Sequence, residues 1–168
     1  MFEVNEYIVC GGNGVCKVID IGIPSMSICD TDNQYYKLEP IYENGSTLYI
    51  PVNNEKVVMR KILSKDEVNE LIKDMDSIDL LIFDNEREYE QKYKEIMRKY
   101  DCKDLIKIIK TSYLRKKERL AEGKKGTTTD EKYLKMAEDY LYGEFAIALN
   151  IPKEDVKDFI EKEVKKYA

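Results

Sequence analysis

The hydrophobic pattern changes its period once along the chain, near residue 62. Before that point, apolar and polar residues alternate in short runs separated by glycine, proline and asparagine, a pattern typical of β-strands. After it, apolar residues recur every three or four positions, which is typical of amphipathic helices. The pattern predicts an α+β chain with a β domain over residues 1–62 and a helical domain over residues 63–168.

Five short apolar runs fill the first domain. Gly11-Gly12-Asn13-Gly14 follows the first run and Asn44-Gly45 precedes the fourth, and both segments contain residues that tolerate the positive φ of hairpin turns. A longer loop is expected between Pro24 and Asn33. So many short strands predict a small barrel of the SH3 or Tudor type, with one strand edge free to recruit a partner strand. The predicted strands are residues 7–10, 15–21, 34–38, 47–52 and 57–59.

Capping signals and a proline mark the ends of five predicted helices. Ser64 and Glu67 have the spacing of a capping box, as have Thr128 and Glu131, and Pro152 suits the first turn of the last helix. The predicted helices are residues 64–74, 85–100, 103–121, 128–150 and 152–167. On the third helix, the residues predicted to mark the buried side are Leu105, Ile109, Tyr113 and Leu120.

Charge is strongly segregated, although the whole chain is acidic with a net charge of −5. Residues 87–126 contain 14 Lys and Arg against 7 Asp and Glu, a net of +7, whereas residues 64–86 contain 2 against 8, a net of −6. Local basicity is compatible with phosphate binding even in an acidic protein. In the third helix, the lysines predicted to share one face by helical spacing are Lys103, Lys107, Lys110 and Lys117.

The basic segment has two interpretations, a phosphate-binding surface or an ordinary solvated helix surface. An exposed aromatic residue beside it favours DNA binding, because such a ring can wedge against a base step. Tyr89 is the candidate, but Tyr89 and Tyr93 are four residues apart, so the same periodicity also allows both to lie in the core. The candidate DNA-binding residues are Arg87, Tyr89, Lys92, Lys94, Lys103, Lys107, Lys110, Lys117, Lys124 and Lys125.

The composition argues against metal-dependent and histidine-dependent chemistry. The chain has no histidine and no C-x-x-C pair, so we expect no metal site and no cofactor. Carboxylates on a late helix, Glu138, Asp139 and Glu144, are the remaining catalytic candidates, but their spacing equally fits a solvated helix side. We therefore expect no enzyme. The cysteines expected to be reduced thiols are Cys10, Cys16, Cys29 and Cys102.

No apolar run approaches the roughly 20 residues of a membrane-spanning helix. The first residues do not have the basic stretch and long apolar core of a secretory signal. We therefore expect a cytoplasmic protein.

Several motifs, in order, resemble a known family. Residues 2–9 (F-x-V-x-E-Y-I-V), 14–21 (G-V-C-x-V-x-x-I), 35–38 (Y-Y-x-L) and 48–51 (L-Y-I-P) are similar to strands of the N-terminal domain that the CarD/CdnL group of bacterial transcription regulators shares with the transcription-repair coupling factor. In the helical half, residues 89–94 (Y-E-Q-K-Y-K) resemble an aromatic-basic motif of the CarD/CdnL group, and residues 141–149 (L-x-G-E-F-A-x-A-L) resemble its late helix.

The resemblance implies that the β domain binds the β subunit of RNA polymerase by strand-to-strand contact. It also implies that the helical domain meets promoter DNA at the upstream edge of the bubble, where a tryptophan of the family wedges into the minor groove and stabilises the open complex. This chain has no tryptophan, and Tyr89 occupies the matching position, so a weaker wedge or another kind of contact is expected. The residues expected to bind the polymerase are Ile21, Gly22, Ile23 and Tyr49.

The leading hypothesis is therefore a monomeric transcription regulator that binds RNA polymerase and contacts promoter DNA without strong sequence specificity. The alternative is a protein-interaction adaptor whose helical domain does not bind DNA. Whether the protein activates or represses is left open by the sequence.

Overall fold

The structure, a computed structural model, describes residues 1–24 and 33–167. The chain forms two compact units, Met1–Ile62 and Leu63–Ala168, called here the β unit and the helical unit. The loop predicted between Pro24 and Asn33 lies outside the described residues except for its two ends. Cys29 also lies outside them.

The β unit contains one antiparallel sheet of five strands in the order β4-β3-β2-β1-β5. The predicted α+β class is confirmed, but the barrel is wrong, because within the described residues the sheet is open and β4 does not pair with β5. The alternating pattern identified strands, but it carries no information on whether two edges meet, and these edges are only four and three residues long. The strands are β1 (Tyr7–Cys10), β2 (Gly14–Gly22), β3 (Tyr35–Pro40), β4 (Leu48–Pro51) and β5 (Met59–Lys61).

One face of the sheet holds the core of the β unit. Alternate residues of the central strands point to this face, as the period of two requires. Gly12 and Gly45 adopt φ values of 83° and 81° in the two predicted hairpin turns, where a residue with Cβ would be strained. The core side chains are Ile8, Cys10, Cys16, Val18, Tyr36 and Leu38.

A β-bulge in β2 changes which side chains face the core. The register with β3 shifts between Val18 and Asp20, so one extra residue interrupts the alternation. As a result Ile21, paired with Tyr36, packs against the core, whereas Gly22 faces the other side of the sheet.

Five α-helices build the helical unit around a core that is centred on the packing of α3 against α4. Short 3-10 turns follow α1 at Met75–Ser77 and precede α5 at Lys153–Asp155. The helices are α1 (Lys65–Lys73), α2 (Glu86–Lys99), α3 (Cys102–Ala121), α4 (Thr128–Leu149) and α5 (Val156–Lys166).

The predicted cap of α1 is confirmed, but the starts of α4 and α5 differ from the prediction. Pro152 precedes the 3-10 turn, and α5 itself begins only at Val156. Ser64 and Glu67 form the predicted capping box, and Asn85 caps α2 by accepting a hydrogen bond from the Glu88 N–H. The start of α4 was predicted at the wrong threonine: Thr127, not Thr128, accepts a hydrogen bond from the Asp130 N–H at 3.0 Å.

The buried side of α3 also differs from the prediction. Leu105 is buried, but Tyr113 and Leu120 are 60% and 56% exposed. The buried positions in the second half of α3 are instead Thr111 and Ser112. The second half of α3 thus turns small polar residues to the core and large apolar residues outward, which the hydrophobic pattern alone could not reveal.

Candidate binding surfaces

Three of the four residues expected to bind the polymerase line one pocket on the outer face of the sheet, called here the edge pocket. It has a volume of about 230 Å³ and contains Gly22, Ile23 and Tyr49. Ile21 is not among them, because the bulge directs it to the core. The sequence analysis did not predict the other lining residues, because only the register of the bulged strand places them on this face. They are Asp20, Pro24, Tyr35 and Lys37.

The backbone of β4 borders this pocket and ends the sheet. The Val52 N–H donates to the Gln34 carbonyl at 3.0 Å. This bond makes Gln34 and Val52 a hydrogen-bonded pair. Because hydrogen-bonded and non-hydrogen-bonded pairs alternate along antiparallel strands, the Tyr36–Ile50 pair is hydrogen-bonded and the Lys37–Tyr49 pair is not. The N–H and C=O of Tyr49 therefore point outward, and no strand in the described part of the chain pairs with them. Since Pro51 has no N–H, Tyr49 is the central donor of this edge.

Gly22 leaves the pocket open at its side. A Cβ at this position would meet no atom within 4 Å, and its backbone does not adopt the positive φ that only glycine tolerates well. A side chain here would therefore enter the pocket without disturbing the sheet. Ile23, next to it, is 61% exposed.

In the helical unit, the predicted DNA-binding residues do not form one free basic face. Lys103 and Lys107 line a cavity of about 280 Å³ together with Asp74 and Asp79, so part of the basic segment faces the acidic segment before it. The Lys110 ammonium donates to backbone carbonyls of residues 75, 76 and 78 at 2.9, 3.3 and 2.7 Å. These three bonds use all three of its hydrogens, so Lys110 stabilises the turn after α1.

Four lysines of the predicted set, Lys107 among them, form ion pairs with acidic neighbours. Each lies within 4.0 Å of a carboxylate on its own helix or loop. Such exposed pairs contribute little to stability and still leave the ammonium accessible to phosphate. The pairs are Lys92–Glu95, Lys94–Glu90, Lys107–Asp104 and Lys124–Glu122.

The remaining basic candidates are exposed: Arg87, Lys103, Lys117 and Lys125 make no ion pair with any residue that the structure describes. Lys117 precedes the loop that carries Lys124 and Lys125. Two of these four residues, Lys117 and Lys125, therefore lie at the end of α3 or in the loop after it, whereas Arg87 and Lys103 lie at the starts of α2 and α3.

Tyr89 lies in the core, which is the second of the two positions that its spacing allowed. Only 8% of it is exposed, and its ring packs edge-on against Phe83 with centroids 5.1 Å apart. Its hydroxyl accepts a hydrogen bond from the Phe83 N–H at 3.1 Å. The expectation of an outward-pointing wedge at Tyr89 is therefore corrected, because a ring enclosed on these sides has no surface to present to a base step.

Arg115 covers the ring of Tyr89 and joins three helices. Its guanidinium carbon lies 3.6 Å from the centroid of the Tyr89 ring, a cation–π contact. It donates to the buried Asp130 at 3.0 Å and also pairs with Glu86 at the start of α2. Asp130 in turn accepts a hydrogen bond from the Tyr93 hydroxyl at 2.9 Å. From the sequence alone Arg115 had no predicted role beyond its charge, because its partners are 15 and 29 residues away.

This network shifts the pKa values of its members. Burial is the main cause that raises the pKa of the Tyr93 hydroxyl, and the negative charge of Asp130 raises it further. Burial opposes the charge of Arg115, but its hydrogen bonds to Glu86 and Asp130 outweigh that effect and raise its pKa. The network is thus a set of ion pairs and hydrogen bonds with a structural role. It holds the start of α2 and the start of α4 against the second half of α3.

The three candidate catalytic carboxylates are not gathered in one place. Glu144 is buried, where it accepts hydrogen bonds from the Leu63 N–H at 2.9 Å and the Cys102 thiol at 3.2 Å. Asp139 is exposed and pairs with Lys153, while burial raises the pKa of Glu138. Glu144 thus has its own buried surroundings, whereas Glu138 and Asp139 are neighbours, and the charge of Asp139 adds to the rise in the pKa of Glu138.

Within residues 1–24 and 33–167, no group of three or more cysteine, aspartate or glutamate side chains is arranged to hold a metal ion. Cys10, Cys16 and Cys102 are buried thiols. A membrane-spanning helix is also absent from the described residues, since none is both long and apolar enough.

Residues 2–63 match the family model described as the CarD-like/TRCF RID domain. The match covers the β unit and ends within two residues of its boundary. No curated protein matches the chain.

Proposed function

We propose that this protein regulates transcription by binding the β subunit of RNA polymerase through the outer edge of β4 and the edge pocket. The match of residues 2–63 to the CarD-like/TRCF RID domain supports an RNA polymerase partner. The helical unit contacts promoter DNA at the upstream edge of the bubble, mainly through phosphates, and stabilises the open complex. The protein uses no cofactor, is not an enzyme, and works in the cytoplasm on the transcribed DNA.

The edge of β4 is the observation that carries the polymerase contact. An exposed edge with unpaired backbone groups is a template for strand addition, in which the backbone supplies affinity and side-chain pockets supply specificity. Tyr49 supplies an outward N–H and C=O, and Gly22 and Ile23 lie in the pocket beside that edge. The outward backbone groups and the side-chain pocket that such an interface requires therefore lie side by side.

Filling the pocket at Gly22 tests this contact. Gly22→Asp places a charge in the pocket where no atom opposes a Cβ, so we expect an unchanged fold and at least a tenfold loss of affinity for the isolated β lobe of RNA polymerase, measured by fluorescence anisotropy with the full chain. Lys56→Gln makes the same change of −1 in net charge at an exposed position between β4 and β5, so it is the matched control and should bind normally. Equal binding by both variants, or no binding by the unaltered protein at low salt, would reject the proposed contact.

Stabilisation of the open complex follows from differential binding. A protein that contacts the open promoter more strongly than the closed one shifts the equilibrium by that difference, and about 1.4 kcal/mol changes the ratio tenfold. Exposed basic side chains at the end of α3 supply contacts of this kind, and their loss reduces the salt dependence of binding by about one per phosphate contact.

Charge reversal at the end of α3 tests the DNA contact. Replacing Lys117, Lys124 and Lys125 by Glu should shorten the lifetime of the open complex to nearly its value without the protein, and should leave binding to the β lobe unchanged. The matched control carries the same charge change at three exposed lysines of α5, Lys157, Lys162 and Lys165, and should retain the full effect. An equal loss in both triple variants would show that only net charge matters.

The adaptor alternative is favoured by one specific observation. Much of the basic segment faces carboxylates or backbone carbonyls of its own unit, and Tyr89 is in the core. If the α3 variant keeps full activity on the open complex, the helical unit serves a partner other than DNA.

A further inference from the structure

A groove with an apolar floor lies between α3 and the irregular segment that follows the first 3-10 turn. It has a volume of about 780 Å³ and is called here the apolar groove. Ile78 forms part of its floor and is almost fully buried. The side chains along its rim are Leu80, Ile82, Tyr113 and Leu114.

The rim exposes an unusual amount of apolar surface. Ile82 is 83% exposed and Tyr113 60%, and Leu80 and Leu114 are also exposed. Single exposed apolar residues are common, but a contiguous cluster on a soluble unit marks an interaction site. The groove belongs to the helical unit and shares no residue with the edge pocket.

The walls of the groove are fixed in place. The Lys110 ammonium holds the carbonyls of residues 75, 76 and 78, and the Leu81 N–H donates to the Thr111 hydroxyl at 2.9 Å. The irregular segment is thereby attached to α3 at its start and at Leu81. A partner would therefore bind a preformed surface and would not have to order a loop.

The charge of the lining defines the partner. Asp76 and Asp79 line the groove, and neither makes an ion pair with a residue in the described ranges. The ammonium of Lys110 is also present, but its three hydrogens are already donated to carbonyls. Two carboxylates against one ammonium leave the lining with a net charge of −1. Because Lys110 has no hydrogen left to donate, the groove favours a partner's lysine or arginine over phosphate.

We propose that the apolar groove binds an amphipathic helix of a partner protein, whose apolar face carries leucine-like side chains and is flanked by basic residues. Such helices bind in grooves through apolar anchors three or four residues apart. Tyr113 and Leu114 on one side and Leu80 and Ile82 on the other provide surfaces for these anchors. Asp76 and Asp79 then pair with the flanking basic residues. The proposal does not depend on the polymerase contact or on DNA binding.

The test uses the full chain and a labelled 18-residue peptide with leucines on one helical face and lysines on the other. Fluorescence anisotropy should show binding, and Ile82→Ser together with Tyr113→Ser should weaken it at least tenfold. Because both side chains are largely exposed, the double variant should fold normally, as circular dichroism can verify. Leu120→Ser, an exposed apolar position on α3 that does not line the groove, is the matched control.

Charge and order in the peptide separate this proposal from its competitors. A shuffled peptide with no apolar face, and a peptide with glutamate in place of lysine, should both bind at least tenfold more weakly, and Asp76→Asn with Asp79→Asn should reduce the salt dependence of binding. Equal binding of the shuffled peptide would overturn the proposal in favour of simple attraction to an acidic protein. The Ile82/Tyr113 double variant could instead lose binding to a DNA duplex and keep binding to the peptide. That result would overturn the proposal in favour of a nucleic-acid site.

Hydrogen exchange provides a second measurement that needs no variant. The peptide should slow exchange in residues 78–82, where the irregular segment lines the groove. Slowed exchange confined to other parts of the chain would contradict the proposed site.

Discussion

Arg115 joins α2, α3 and α4 through its guanidinium, and Tyr89 lies beneath it. A buried carboxylate such as Asp130 is tolerated only when it is paired and hydrogen-bonded. Here it accepts hydrogen bonds from Arg115, the Tyr93 hydroxyl and the Thr127 hydroxyl. At the scale of single residues, this network explains why an aromatic residue in a basic segment points inward.

Substitutions at Tyr89 distinguish a core role from a DNA contact. Tyr89→Ala should lower the free energy of unfolding by about 3 kcal/mol, because it removes a buried ring and leaves a cavity. Tyr89→Phe should lower it by about 1 kcal/mol, because the hydroxyl that accepts the hydrogen bond from the Phe83 N–H is lost while the ring stays. Urea denaturation measures both. A shortened open-complex lifetime with unchanged stability in Tyr89→Ala would instead show that the ring acts on DNA.

At the scale of elements, caps and bulges decide which side chains reach a surface. Thr127 and Thr128 are adjacent and chemically identical, but only Thr127 accepts the hydrogen bond that begins α4. The one-residue difference matters because it places Asp130, not Glu131, in the buried network.

The two threonines make a matched pair of variants. Thr127→Ala should destabilise the protein by about 1 kcal/mol, since it removes an N-cap, and it also removes a hydrogen bond to Asp130. Thr128→Ala, within the first turn, should change the stability by much less. Thermal or urea unfolding compares them, and equal effects would mean that the helix begins at Thr128.

The sequence predicted the elements better than the surfaces they form. Periodicity and caps identified the five strands and five helices, because these signals are local. The bulge in β2 was not predictable, since it appears only in the register with β3, and it removed Ile21 from the edge pocket. Similarly, Tyr113 matched the helical period of Leu105, but the small polar residues Thr111 and Ser112 occupy the core instead. Long-range pairing decided both cases.

At the scale of the whole molecule, charge segregation in the sequence does not translate directly into a charged surface. The segment of net +7 contacts the segment of net −6 in the helical unit, through Lys103 and Lys107 beside Asp74 and Asp79. What remains is accessible basic charge at the end of α3 and an apolar groove whose lining has a net charge of −1. The β unit contributes a separate surface, the outer edge of β4, and it is this unit that carries the family match.

The most direct test of the polymerase contact is hydrogen exchange of the full chain with and without the isolated β lobe of RNA polymerase. In the free protein the Tyr49 amide points outward from the sheet and should exchange quickly, because no described strand accepts its hydrogen bond. Binding should slow exchange in β4, most strongly at Tyr49, and should leave β5 at the opposite edge unchanged. Slowed exchange at β5 with none at Tyr49 would contradict the proposed interface.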